Sequence, residues 1–202
     1  IPRSLQELRL EHGQLRVDGT PRRLVVRIEQ LAARQADREV ELKGPPADKA
    51  YDAEGNLTAI GLGFAKGQGL DPSQLEVRHD GKRSYVGGRK LELGKNAAEL
   101  LSEAIPRWIQ ALRFRKTMRW DRSGMAFSRP VRWILCLHDS QVVPCIWGHL
   151  HSGRSTRAPR PLNSQTVEVL HARDYQALLD NWDCVLDRDL RRARVEAVVR
   201  AA

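Results

Sequence analysis

The sequence predicts an α+β fold, with antiparallel sheets and packed helices, and three observations carry that expectation. Short runs alternate apolar and charged residues with a period of two, as in Val25-Val26-Arg27-Ile28 and Glu39-Val40-Glu41-Leu42. One longer stretch, residues 97–112, repeats apolar residues at three- and four-residue steps, the spacing of one helix face. The strand-like runs are joined across short polar turns, around Asp37 and at His79-Asp80-Gly81, as in antiparallel sheets with one wet face.

Residues 1–12 are short and mixed, and Gly13 breaks them ahead of Leu15, Val17 and a Gly19-Thr20-Pro21 turn signal. Residues 22–28 then read as a strand with one buried face, and residues 39–43 as the next. Gly44-Pro45-Pro46 should end that strand, because prolines offer no backbone donor. After a turn over residues 52–56, Thr58 is placed to cap a short helix through Ala59, Leu62, Phe64 and Ala65. Gly61, Gly63, Gly67 and Gly69 do not make a phosphate loop, since Lys66 stands where GxGxxG requires glycine and no Gly-Lys-Ser/Thr follows. Residues 75–77 and 83–93 read as a hairpin, with Gly87-Gly88 marking a bulge or a close backbone approach.

Asn96, with Glu99 three residues on, should cap the clearest helix. Its stripe is Ala97, Leu101, Ala104, Ile105, Trp108, Ile109 and Leu112, and Pro106 inside it should kink or split it. Residues 113–120 have no helical stripe, Gly124 and Pro130 bound a loop, and residues 131–137 form a largely buried strand paired with 141–147 across His138-Asp139-Ser140. Residues 152–161 read as a polar, arginine-bearing loop, 167–170 as a brief strand, 174–179 as a helix and 188–202 as a last helix. That helix sets Leu190, Val195, Val198 and Val199 against a solvated side bearing Arg191, Arg192, Arg194 and Arg200. The expected division is an α+β domain over residues 1–112 and a basic α/β segment over 113–202.

Charge is concentrated rather than spread. Between Leu101 and Arg160, eleven basic residues face three acidic ones, a local excess of eight against a formal net charge of +9 for the whole chain. Arg113, Arg115, Lys116, Arg119, Arg122, Arg129, Arg132, Arg154, Arg157 and Arg160 lie along a stretch that also holds Trp120 and Trp133. Local basicity is the footprint of a polyanion partner. Arginine's planar fork bonds phosphate through two parallel hydrogen bonds and stacks on aromatic faces, which favours a nucleic acid. An arginine-rich solvated surface is the alternative reading, and the two tryptophans either stack on bases or pack in the core.

The 202 residues allow one large domain or two small ones. No apolar run approaches the roughly 20 residues of a membrane span, so no membrane partner is expected. Cys136, Cys145 and Cys184 are odd in number and form no CxxC pair, and with no signal-peptide pattern they read as reduced thiols of a cytoplasmic protein. The chain begins at Ile1 and stops inside an apparent helix, so it reads as a piece of a longer protein. Cys145, His149 and His151, with Cys136 and His138 nearby, do not match a zinc spacing, and no GxSxG, HExxH or paired-carboxylate motif is present. No metal site and no catalytic centre is expected here.

A series of motifs runs through the chain in order: Thr20-Pro21-Arg22-Arg23-Leu24, Gly44-Pro45-Pro46, Ala50-Tyr51-Asp52 with Gly55-Asn56, Thr58-Ala59 and Gly63-Phe64-Ala65. It continues with Met118-Arg119-Trp120, Phe127, Arg129-Pro130-Val131, Trp133, Gly153-Arg154 and Thr156-Arg157. In this order and spacing the chain resembles the N-terminal part of the bacterial glycyl-tRNA synthetase beta subunit. It departs from that pattern at Ala158-Pro159-Arg160-Pro161, where the family has a Gly-His-Arg-Phe-like run, and the family's opening Glu-Glu-Leu-Pro-like segment does not precede Ile1.

The resemblance implies a division of labour. The alpha subunit holds the aminoacylation centre and handles glycine, ATP and magnesium, whereas the beta subunit binds tRNA-Gly and supports assembly; no cofactor is implied for this fragment. By analogy it also suggests accessory tRNA-binding-type domains like those of phenylalanyl-tRNA synthetase beta and archaeal CCA-adding enzymes. The residues expected to contact tRNA are Arg113, Arg115, Lys116, Arg119, Arg129, Arg154 and Arg157, with Arg22 and Arg23 beside a strand. The alternative is a scaffold for subunit and domain assembly, with these arginines satisfied by protein carboxylates.

Overall fold

The structure is a computed structural model that describes residues 1–81 and 83–201. It opens with helix α1 (Pro2–Glu7), strands β1 (Leu15–Thr20), β2 (Arg23–Ile28) and β3 (Arg38–Pro46), and helices α2 (Ala47–Ala50) and α3 (Ala59–Gln68). Strands β4 (Glu76–Asp80) and β5 (Arg83–Glu92) and the long helix α4 (Ala97–Ala111) follow. Then come short strands β6 (Ile134–Leu135), β7 (Leu137–His138), β8 (Gln141–Val142), β9 (Ile146–Trp147), β10 (Leu150–Gly153), β11 (Ser155–Arg157) and β12 (Thr166–Glu168), and helices α5 (Asp174–Asp180) and α6 (Arg188–Ala201). The final helix was expected to reach Ala202, which lies outside the described residues. This is the expected α+β class; among the described residues the strand pairs are antiparallel except for β6 with β10. No helix among the described residues is long and apolar enough to cross a membrane.

Two compact units emerge, one formed by Ile1–Gln35 with the chain from Lys95 onward, the other by Ala36–Gly94. Residue 112, where the sequence suggested a domain end, falls inside the first unit. There Leu5, Leu10, Ala97, Ala98, Leu101 and Val143 are buried together, so α4 shares one core with residues on both sides of that point. Trp108 Nε1 donates to Ser4 Oγ at 2.9 Å and ties α4 to α1. Helix α1 is too short for its period to be read; Pro2 in its first turn and the fully buried Leu5 define it. Asn96 Oδ1 accepts from Ala98 N at 2.8 Å, the expected cap of α4. The helix runs unbroken through Pro106, because Leu101 and Ile105 before it and Trp108 after it are held on the same core.

The β1–β2 hairpin places Leu15 opposite Ile28, Val17 opposite Val26 and Gly19 opposite Leu24. Leu15 and Ile28 pack on the core, but Val17 and Leu24 remain 55% and 53% exposed, so the expected buried face covers only one end of the hairpin. A period of two says which side chains share a face; it does not say what covers them.

The strand expected over residues 131–137 is broken at Cys136. Its N–H donates to Gly153 O at 3.0 Å and its carbonyl accepts from Val143 N at 3.1 Å, so the chain changes partners at that residue. The loop expected over residues 152–161 is largely strand: β11 pairs with β12, with the fully buried Thr156 opposite Val167. Polar residues mask the alternation there.

In the second unit, β5 lies between β3 and β4, and α3 packs on the sheet through Ala65 and Phe64 against Leu42, Leu70, Leu75 and Val86. Thr58 Oγ1 caps α3 by accepting from Gly61 N at 3.4 Å. Gly61, Gly63 and Gly67 lie within the helix, and Gly69, at φ +68, ends it. Strand β3 does not stop at Gly44-Pro45-Pro46; it continues through a register shift until Pro46 faces Tyr85. Strand β5 likewise passes through Gly87-Gly88, where a Cβ on Gly88 would meet Leu70 Cδ1 at 2.6 Å, the close approach the sequence signalled.

Candidate nucleic-acid interface

After α4 the chain has no apolar stripe to bury, and its course over residues 113–133 is set by a few aromatic anchors. Met118 and Phe127 exchange backbone hydrogen bonds of 2.9 and 3.2 Å, closing the segment on itself. Phe127 meets Phe114 edge-on at 4.6 Å between centroids and Trp147 at 5.9 Å, while Trp120 lies 6.3 Å from Trp147. Beneath them Met125, Trp147 and Leu150 are buried, joined by Ile109 of α4. Gly148, at φ +63, turns β9 into β10 directly over Met125, whose Sδ would lie 2.1 Å from any Cβ placed there. Such close aromatic and sulfur contacts hold a loop that lacks regular secondary structure.

With the aromatic side chains turned inward, the basic ones are left outside. Arg115, Lys116, Arg119 and Arg122 are exposed, and among the described residues none of their side chains makes an ion pair or hydrogen bond with protein. Arg113 is also exposed and reaches Gln110 O at 3.4 Å near the C-terminal end of α4, where the helix dipole favours a cation. Asp121 is the carboxylate in their midst. It accepts from the N–H and hydroxyl of Ser123 and lies 2.8 Å from His149 Nδ1, and these partners hold its carboxyl below the usual value. It is therefore engaged locally, and among the described residues it pairs with none of the arginines around it.

The remaining expected site residues divide by what their guanidinium groups touch. Arg129 Nη1 donates to Pro21 O at 2.6 Å, Arg23 Nη2 donates to Arg157 O, and Arg154 Nη2 donates to Ser140 O at 3.3 Å. These three are partly spent on backbone carbonyls of other segments. Arg22 and Arg157 are exposed, with no side-chain partner among the described residues. The motifs around Thr20, Arg129 and Thr156 therefore meet at one place, although more than a hundred residues separate the first from the others. A residue the sequence placed on a solvated helix side belongs here too. Arg191 Nη1 donates to Gly19 O at 3.0 Å, Val185 O at 2.7 Å and Leu186 O at 3.2 Å, binding α6 to the β1–β2 turn. No local signal distinguishes it from Arg192 or Arg194.

The histidines and thiols noted in the sequence are dispersed among other partners. His149 faces Asp121, His138 Nε2 lies 3.0 Å from Leu31 O, and Cys145 N donates to Ser152 Oγ at 2.8 Å. The Cys145 thiol beside it, together with burial, pushes the Cys136 thiol well above its usual range. Among the described residues no three His, Cys, Asp or Glu side chains converge on a common point.

The glycyl-tRNA synthetase beta subunit model matches residues 1–202. The chain belongs to the glycyl-tRNA synthetase beta subunit family. The glycine–tRNA ligase beta subunit of Citrifermentans bemidjiense is 37% identical over 206 residues, covering 100% of this chain and 30% of the relative. That of Desulfitobacterium hafniense is 40% identical over 196 residues, covering 97% of this chain and 28% of the relative. Glycine–tRNA ligase, chloroplastic/mitochondrial 2, of Arabidopsis thaliana is 40% identical over 177 residues, covering 88% of this chain and 16% of the relative. The chain thus spans less than a third of the length of these relatives. For this glycyl-tRNA synthetase beta subunit family member, the convergence of Thr20, Arg129 and Thr156 gives a spatial meaning to motifs that are scattered in sequence.

Proposed function

We propose that this chain is a tRNA-binding part of a glycine–tRNA ligase beta subunit, contacting tRNA-Gly while an alpha subunit carries out aminoacylation with glycine, ATP and magnesium. The observation that carries this reading is the group Arg115, Lys116, Arg119 and Arg122: exposed cations without protein partners among the described residues, on a loop anchored by Phe114, Trp120 and Phe127. A phosphate backbone is a partner such a surface fits, because each neutralised contact releases counterions from the nucleic acid. Arg22, Arg113 and Arg157 extend the same chemistry, while Arg23, Arg129 and Arg154 shape the surface and keep their remaining donors for phosphate. The test is a salt titration of the chain binding a tRNA-Gly transcript beside an unrelated tRNA. Affinity that falls steeply with salt supports the reading, preference for tRNA-Gly adds discrimination, and no binding at low salt overturns it.

One observation favours an assembly role as a second reading. Helix α6 buries none of its residues and leaves Val198 and Val199 about 70% exposed, an apolar side suited to a protein partner such as the alpha subunit. Co-purification with the alpha subunit that survives high salt without RNA would support it.

A further inference from the structure

A cleft of about 360 Å³ opens where the β1–β2 turn meets the segment after β11 and the chain leaving α5, all within the first unit. Its walls are Pro21, Pro159 and Pro161, its aromatic residue is the half-buried Trp182, and Arg22 and Arg160 line it as well. The volume lies near the lower end of small-molecule pockets, about 300 to 1,000 Å³, which suits a single nucleotide and excludes a duplex.

The cleft is built by arginine-to-carbonyl bonds that join distant segments. Arg23 Nη2 holds Arg157 O, with its Nη1 3.8 Å from Cys184 Sγ; Arg129 holds Pro21 O; and Arg191 holds Gly19 O together with Val185 O and Leu186 O. Structural bonds thus engage Arg23, Arg129 and Arg191. Arg22 and Arg160 are exposed, and among the described residues neither side chain has a protein partner. The carboxylate lining the cleft is Asp183, held at φ +51 beside Trp182, and it makes no ion pair among the described residues. The prolines contribute flat apolar surface without N–H donors, and tryptophan offers the face on which any base stacks.

The geometry points to this cleft as a binding site for one unstacked nucleotide of single-stranded RNA, its base against Trp182 and its flanking phosphates on Arg22 and Arg160. The assignment rests on the tRNA-binding reading above and adds to it a place for an unpaired base, distinct from the phosphate-binding face at Arg115 and Arg119. A free nucleotide shares the same base-plus-phosphate chemistry; two guanidinium groups lining one cleft favour a strand, which brings a phosphate to each side of the base.

The test uses the 202-residue chain and a short single-stranded oligoribonucleotide carrying one 2-aminopurine, whose emission is quenched when the base stacks. Binding to the unaltered chain should quench it. Trp182→Leu should abolish the quench and weaken affinity about 10-fold, while Trp182→Phe retains most of both. Arg22→Ala and Arg160→Ala should each lower the salt slope by about 0.7, the single-strand increment per phosphate contact. Thermal melting of each variant checks the fold. Quenching and affinity unchanged in Trp182→Leu would overturn the assignment, as would displacement of the oligonucleotide by 5′-AMP at equal affinity, which would make the ligand a free nucleotide. The combined replacement of Arg115, Lys116 and Arg119 by Ala separates the two readings: it should weaken intact tRNA binding and leave the oligonucleotide quench in place. If the oligonucleotide is quenched while intact tRNA does not bind, the tRNA reading fails and the cleft remains.

Discussion

Arg129 donates through Nη1 to the carbonyl of Pro21 at 2.6 Å, across 108 residues of chain, and so fastens the basic loop to the turn between β1 and β2. A backbone carbonyl accepts without adding charge, so the guanidinium keeps its positive charge at the surface while fixing the loop. Arg129→Ala is expected to cost about 1 kcal/mol in a denaturant titration, and Arg129→Lys to recover only part of it, since an ammonium lacks the planar fork. Equal midpoints for Arg129→Ala and the unaltered chain would show that the bond does not hold the loop.

Replacing Arg115, Lys116 and Arg119 together by Ala removes three exposed cations that touch no protein partner among the described residues. The fold, read by circular dichroism and melting temperature, should be unchanged, because surface substitutions of this kind shift stability by no more than about 0.5 kcal/mol. The slope of log affinity against log salt for tRNA should fall by about 2 to 3. An unchanged slope would remove this loop from the binding surface.

Gln35 is a buried polar residue at the neck where the chain leaves the first unit, and Lys95 is where it returns. Gln35 N donates to Lys95 O at 3.0 Å, its Oε1 accepts from Lys95 N at 3.1 Å and from Arg9 Nη2 at 3.3 Å, and its Nε2 donates to Leu8 O. Gln35→Leu keeps the backbone bond but strands Lys95 N, Arg9 Nη2 and Leu8 O in a site with little water, and a loss of about 2 kcal/mol in unfolding free energy is expected. Gln35→Glu should also destabilise, since Leu8 O then faces an acceptor. Wild-type stability in both variants would show that the neck is held elsewhere.

Asp121 gives the loop a pH dependence. Its hydrogen bonds from Ser123, with His149 beside it, lower its folded pKa below the ordinary value of 3.8. A depressed carboxylate contributes stability that is present above the unfolded pKa and lost as pH falls through the folded one. Asp121→Asn should therefore be less stable than the unaltered chain near neutral pH, with the gap closing as pH drops below about 4. A gap that stays constant from pH 7 to pH 3 would contradict this role.

Elements that carry their own local signals were legible in the sequence. Thr58 and Asn96 are side chains whose hydrogen bond to a nearby N–H is decided within three residues, and the α4 stripe from Ala97 to Trp108 needs only the 3.6-residue period. Gly88 announced a close approach because only a missing Cβ admits Leu70 there. The local excess of arginine over residues 101–160 is likewise a property of the sequence alone.

Long-range partners decided the rest, and only the tertiary structure supplies them. Whether the Val17–Val26 face is covered, and whether residues 131–137 remain one strand, depends on what arrives from far along the chain: at Cys136 it is Gly153 on one side and Val143 on the other. The same holds for arginine. Arg191 and Arg192 are chemically identical neighbours, yet the first holds three carbonyls while the second pairs with Glu196 at the surface. Sequence alone determined that this chain is α+β and carries a concentrated positive charge; the fold decided which guanidinium groups are structural and which remain free, because a carbonyl acceptor supplied by a distant segment leaves no trace in the local pattern.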